Sequence, residues 1–169
     1  AEQLLALSSS RYAQLRSQFG ITHWYFITPD KRVLLRVHAP DKHADTIHRE
    51  TLARAASSGA PFTGLELGAT SVLTLRHVQP WRTASGELLG YVELGTEVDW
   101  FEKKISQING MQVASAVHKN YITEEGFDLG KRAFGFLGDW NTYPEIAVCN
   151  QSIPVLPPNV LDKWRSFVR

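Results

Sequence analysis

Leu4, Leu5, Tyr12, Leu15 and Phe19 approximate a 3.6-residue stripe, which predicts a helix over residues 1–19 with Gly20 as its left-handed cap. The period then shortens. Residues 23–28 are aromatic and β-branched, residues 29–32 (Pro-Asp-Lys-Arg) are turn chemistry, and residues 33–38 read as a second strand, together a hairpin. Residues 45–58 predict a helix, capped by Asp45 or Thr46 and ended by Ser57, Ser58 and Gly59. Residues 60–63 read as an extended connector, and residues 72–78 and 88–94 as two strands around a loop containing Pro80 and Gly86. Asp99 and Glu102 have capping-box spacing ahead of a helical face of Phe101, Ile105 and Ile108, which Asn109 and Gly110 end. Beyond Gly110 the pattern predicts a strand over 111–117, a glycine-interrupted helix over 123–137 and a strand over 146–152. A final helix follows, with Val160, Leu161, Trp164, Phe167 and Val168 on one side.

The order helix, hairpin, helix, hairpin, helix predicts an α+β domain: an antiparallel sheet of about five strands with a long N-terminal helix and flanking helices. Residues 1–109 read as that domain, and residues 110–169 as a C-terminal extension packing on it. Of the 169 residues, 43% are hydrophobic, enough for a sizeable core, and no run approaches the ~20 apolar residues of a membrane span. Eighteen basic residues against seventeen acidic ones argue against a nucleic-acid partner. The single cysteine, Cys149, excludes an internal disulfide and any CxxC site. No signal peptide is recognised, and the abrupt ends read as those of a piece of a longer chain.

The sequence has no P-loop, GxGxxG, HExxH or GxSxG, so no catalytic residue is assigned and a non-enzymatic domain is expected. His38, Asp41, His43, Asp45 and His48 crowd eleven residues, which reads as a metal cluster or as a solvated turn entering a helix. A metal-dependent hydrolase built on His38, Asp41, His43 and His48 is therefore an alternative. Arg36 and His38 are two apart and share a strand face, and Arg76 lies on a later strand. Buried cations want an anion. Asp45, Glu66 or Glu93 can supply it internally, or a bound carboxylate or phosphate can. Most of the aromatic residues belong in the core, whereas Tyr25 and Trp81 are the better pocket walls.

The run from Tyr25 through Leu35-Arg36-Val37-His38-Ala39-Pro40-Asp41 to Ala44, Asp45 and Arg49 resembles a known pattern. It continues with Gly64-Leu65-Glu66-Leu67-Gly68, then residues 73–80, then Gly86 to Leu94. This ordered set is similar to the Cache-type, PAS-like extracytoplasmic sensory domains of bacterial chemoreceptors, sensor kinases and diguanylate cyclases, particularly the double sensory domain group. The likeness covers residues 20–100 and extends weakly through Val117-His118-Lys119 and Asp139-Trp140. Two departures stand out. Ala44 replaces a frequent glycine, and residues 110–169 are too short for a full second lobe.

The resemblance implies a PAS-like periplasmic domain of an inner-membrane receptor, held between two transmembrane helices. It would bind a small molecule, pass a conformational change to a cytoplasmic output and pair as a homodimer through the N-terminal helix; no ligand identity carries over, and the expectation of an anion comes from the cations Arg36, His38 and Arg76. Arg36, His38, Asp45, Glu66 and Arg76 match the pattern position by position. The expected site is therefore Tyr25, Arg36, His38, Arg76 and Trp81, supported by Asp45, Glu66 and Glu93. No cofactor is expected. A metal ion or a non-covalent haem stays open, since there are six histidines and no CxxCH. The competing reading is a ligand-free structural or dimerisation module.

Overall fold

The computed structural model describes residues 1–68, 70–149, 153 and 155–167. The chain forms two compact units, residues 1–66 with 73–97 and residues 67–72 with 98–169. The sequence pattern places a boundary after residue 109, whereas the helix over 98–109 groups with the C-terminal unit.

In the first unit, α1 (Glu2–Phe19) ends on Gly20 at φ 68°, as its sequence predicts. Leu4, Leu5 and Tyr12 pack with Trp24, Phe26, Leu35, Val37 and Val92, while Phe19 at the stripe's end is 55% exposed. β1 (His23–Ile27) and β2 (Val33–Arg36) form the first hairpin. With β3 (Phe62–Leu67), β4 (Leu73–Arg82) and β5 (Leu88–Glu97) they make a five-strand antiparallel sheet in the order β2-β1-β5-β4-β3. Of the connector expected at 60–63, residues 62 and 63 are in fact the start of β3. Its Phe-Thr-Gly-Leu-Glu-Leu run hides the strand, because a glycine and apolar residues on both faces break the period-2 signal.

Register decides what meets what. Tyr25 lies opposite Arg36 on one side and Glu93 on the other. Glu93 lies opposite Val78, and Arg76 opposite Gly95. One sheet face therefore presents His23, Tyr25, Arg36, Arg76 and Glu93 together. Its core of Tyr25, Ile27, Val33, Ile47, Leu52, Ala55, Val78 and Tyr91 is closed by α2 (Glu50–Ser58). The opposite face carries α1.

The helix expected over 45–58 begins only at Glu50. Residues 44–47 instead run along β2. The Val33 N–H donates to the Asp45 carbonyl, Ala44 N–H to the Val33 carbonyl and Ile47 N–H to the Lys31 carbonyl, each at 2.9 Å. These bonds cover the exposed edge of β2, which an early helical turn would leave open. Asp45 is thus no helix cap; Arg49 takes that position without a side-chain bond. The strap also explains the family glycine, because Ala44 sits at φ 72°.

The second unit holds α3 (Val98–Asn109), β6 (Ala116–His118), α4 (Glu124–Phe134), β7 (Ile146–Val148) and α5 (Pro158–Phe167). β6 and β7 pair antiparallel; the strand expected over 111–117 is the three residues 116–118, and of the one expected over 146–152 residues 146–148 are strand and 149 is not. Residues 150–152 and 168 lie outside the described residues. Asp99 lies inside α3 rather than capping it, and Glu102 accepts the Ser115 hydroxyl. The core holds Tyr143, Ile146, Val148 and Leu156 with Leu161 and Trp164, and Phe127 packs against Phe136 and Trp140.

Two substitutions test this account of the backbone. Gly90 sits at φ 147°, where an added Cβ would lie 2.1 Å from the Ile27 carbonyl oxygen. Gly90→Ala is therefore expected to cost more than about 2 kcal/mol. Ala44→Gly is expected to raise stability by about 0.5 kcal/mol, since a left-handed alanine costs more than the extra chain entropy of glycine. Urea denaturation midpoints read both, and a stable Gly90→Ala protein would contradict the β1–β5 approach.

Candidate functional site: a charged face beneath α2

Glu93 is the centre of the site. It has no exposed surface, and its Oε1 accepts Arg76 Nη1 at 2.7 Å and also Arg49 Nη1. Arg76 Nε lies 3.5 Å from Glu66 Oε2. Glu66 Oε1 in turn accepts the Thr51 backbone N–H at 2.8 Å. A strand carboxylate thus satisfies one of the free amides of the first turn of α2 and meets the positive end of its dipole. Four buried polar atoms in this group have no hydrogen-bond partner among the described residues: Thr51 Oγ1, Glu66 Oε2, Arg76 Nε and Glu93 Oε2.

Tyr25 lies between two cations. The guanidinium carbon of Arg36 is 5.3 Å from its ring centroid and that of Arg49 is 4.7 Å. Desolvated cation–π pairs of this kind contribute up to about 2 kcal/mol. Arg36 grips Asp45 through two parallel bonds of 2.7 Å and donates to the Lys42 carbonyl. That pairing lowers the Asp45 pKa and raises that of Arg36. The burial is uneven: the Arg36 side chain is 13% exposed and that of Asp45 55%.

Two histidines complete the face. His38 packs edge-on to Tyr25 at 4.8 Å and to His23 at 4.9 Å. Its Nδ1 accepts the Trp24 N–H at 3.1 Å, which fits a neutral ring. Burial pushes its pKa down to about 4, and the charges of Arg36, Arg76 and Arg49 add to the effect. His23 is lowered further, to about 3, by burial and by Arg76, His38 and Arg49. Its Nδ1 lies 3.3 Å from Glu97 Oε1.

Of the residues expected from sequence, Tyr25, Arg36, His38 and Arg76 share this face with Asp45, Glu66 and Glu93. Both arginines are engaged by carboxylates of the chain. Trp81 is elsewhere: it lies within β4, not on a loop, and packs on Phe26 at 5.7 Å against the opposite face. Parity carries the reason, since Arg76 and Trp81 are an odd number of residues apart on one strand. Arg49, Thr51 and His23 were missed. His23 had a signal, being two residues before Tyr25, whereas Arg49 and Thr51 arrive through the docking of α2. His38, Asp41, His43, Asp45 and His48 do not converge, and among the described residues no group of three or more His, Cys, Asp or Glu could hold a metal ion.

Residues 1–129 match the family model described as the double sensory domain of two-component sensor kinases. The chain belongs to this family. Such sensory domains are extracytoplasmic and non-catalytic. Among solved structures, a domain of a sensory box/GGDEF family protein from Vibrio parahaemolyticus is similar, with a TM-score of 0.52 and 13% identity. The match covers 70% of this chain and 52% of that one, so the chain spans about half the neighbour's length and the likeness concerns the fold alone. No curated protein matches. Among the described residues, no helix of the sensory domain is long and apolar enough to cross a membrane.

The histidines set an acid limit on stability. A pKa lowered on folding means that the unfolded chain binds the proton first, so stability is full above about pH 6.5 and falls as pH drops toward 4 and then 3. Melting temperature measured from pH 7 to pH 4 is expected to fall, and less steeply in His38→Gln. An unchanged slope in that variant would mean that His38 is not buried neutral.

Proposed function

We propose that this sensory domain is the extracytoplasmic signal-binding part of a transmembrane receptor, and that a small molecule binds on the charged face beneath α2. The observation that carries the reading is the arrangement of buried charge. A fold gains little stability from buried ion pairs over apolar packing, yet this face holds Glu93, Arg49, Arg76 and Arg36 around an aromatic ring.

An anionic ligand group finds its place at Arg36. Asp45 already occupies the guanidinium fork and is largely solvated, so a ligand carboxylate can replace it and leave Asp45 in water at small cost. Asp45 belongs to the strap over residues 44–47, so this exchange frees the strap and supplies a conformational signal. Arg76 is a poorer contact, being 6% exposed and already paired with Glu93. We also propose that the receptor pairs through α1, on which Leu7 is 81% exposed.

A melting-temperature screen of small carboxylates tests the site. A ligand at one hundred times its Kd is expected to stabilise the fold by about 2.7 kcal/mol. Arg36→Ala is expected to abolish that response in a folded protein, and Asp45→Asn to strengthen it. If Asp45→Asn leaves every response unchanged, Arg36 is not the exchangeable contact.

A further inference from the structure

We infer that the second unit carries a binding site of its own, a cleft between a turn closed by Gly68 and Ser71 and the segment 120–123, which takes one ring of a neutral sugar. The cleft belongs wholly to the second unit and does not depend on the charged face being a ligand site.

Its volume is about 320 Å³, and it is lined by Gly68, Ser71, Asn120, Tyr121, Ile122 and Thr123. Each wall is held by bonds of its own. In the first, the Gly68 N–H donates to the Val72 carbonyl at 2.9 Å and the Ser71 N–H to the Gly68 carbonyl at 3.0 Å. This wall rests on α4 at Gly130, where an added Cβ would lie 2.1 Å from the Thr70 carbonyl oxygen. In the second, His118 Nδ1 accepts the Asn120 N–H at 3.1 Å and the Lys119 N–H donates to the Glu145 carbonyl at 2.9 Å. Thr123 then caps α4, accepting the Gly126 N–H at 3.1 Å. One helix thus braces both walls. Ser71 also sits at φ 56°, a left-handed position that serine adopts only where its surroundings impose it, and such residues gather at binding sites.

The lining sets the chemistry. Ser71 is 1% exposed, and among the described residues neither its hydroxyl nor the Asn120 side-chain amide has a hydrogen-bond partner. The Thr123 oxygen accepts from Gly126, which leaves its O–H to donate. An apolar ligand would leave these groups unmatched. A charged one would find no Lys, Arg, His, Asp or Glu in the lining to pair with, and Glu124 and Glu125 directly after Thr123 further disfavour an anion. Tyr121 adds an aromatic ring that is 78% exposed and so free to stack. Its electron-rich face complements the polarised C–H face of a pyranose. The sugar's hydroxyls, each both donor and acceptor, complement Ser71, Asn120 and Thr123. Ligand sites run from about 300 to 1,000 Å³, so a cleft at the small end suits one ring rather than a chain.

The test is amide chemical-shift titration of the whole chain with D-glucose, D-galactose and D-xylose. Glycerol, D-glucuronate and D-glucosamine are the controls. At least one sugar is expected to give saturable shifts centred on the amides of Gly68, Ser71 and residues 120–123. Glycerol, which has hydroxyls but no ring, is expected to give none, and the charged analogues weaker ones. Tyr121→Ala and Ser71→Gly are each expected to weaken sugar binding about tenfold. Both variants should fold, since Tyr121 is mostly solvated and glycine relieves the left-handed position. Absence of saturable shifts with all three sugars overturns the inference, as do shifts centred on Tyr25, Arg36 or His38 instead. An equal response to glycerol, tighter binding of either charged analogue, or unchanged affinity in either variant overturns it too. A carboxylate response that depends on Arg36 is read separately, so either site can fail while the other stands.

Discussion

A carboxylate with no exposed surface, Glu93 on the central strand β5, must have cations beside it. A lone buried charge would cost several kcal/mol. Arg76 comes from the neighbouring strand and Arg49 from the residue that precedes α2. The pairing therefore fixes more than two side chains. It binds the start of α2 to the middle of the sheet, and Glu66 fastens the same helix from β3 through the Thr51 amide. Leu52 and Ala55 then close over the apolar part of the face with no exposed surface.

Burial grades outward from that centre. Glu93 and Arg76 are sealed, Arg49 is half-way out along the ring of Tyr25, and Arg36 lies at the rim with a solvated partner. The inner pairs hold their geometry because breaking them strands a charge in a low-dielectric interior. The outer pair exchanges readily, because either partner falls back on water. One continuous network thus combines a rigid base with a replaceable edge, which suits a domain that must register a ligand and remain folded. The neutral histidines fit the same economy of charge, since three guanidinium groups already crowd the face.

The two faces of the sheet divide the labour by parity. Trp24, Phe26 and Leu35 on one side form an apolar bed for α1, while Tyr25 and Arg36, each one residue away along its strand, belong to the charged side. A one-residue slip of β1 would move Tyr25 beneath α1 and bury an aromatic bed against Glu93. The antiparallel register to both β2 and β5 prevents it.

Much of the fold was legible in the sequence because it rests on local rules. α1 with its glycine cap, the two hairpins and the helix after β5 follow from periodicity and turn chemistry within a few residues. The residues Tyr25, Arg36 and His38 could be placed on one face, since alternation along a strand is local too. β3 was hidden by its own glycine, and Asp45 and Thr46 offered helix-capping chemistry while long-range bonds drew residues 44–47 to the edge of β2. The arginines could be seen to need carboxylates, but not which ones. Arg36 with Asp45 and Arg76 with Glu93 are choices made by register and by the strap's path. The place of Arg49 and the unpartnered Thr51 hydroxyl depends on where α2 docks. Sequence determines which groups must find partners, because charge and period are properties of the residues themselves. Only the tertiary structure decides the partners, because these bonds join residues brought together across strands and helices, many of them far apart in the chain.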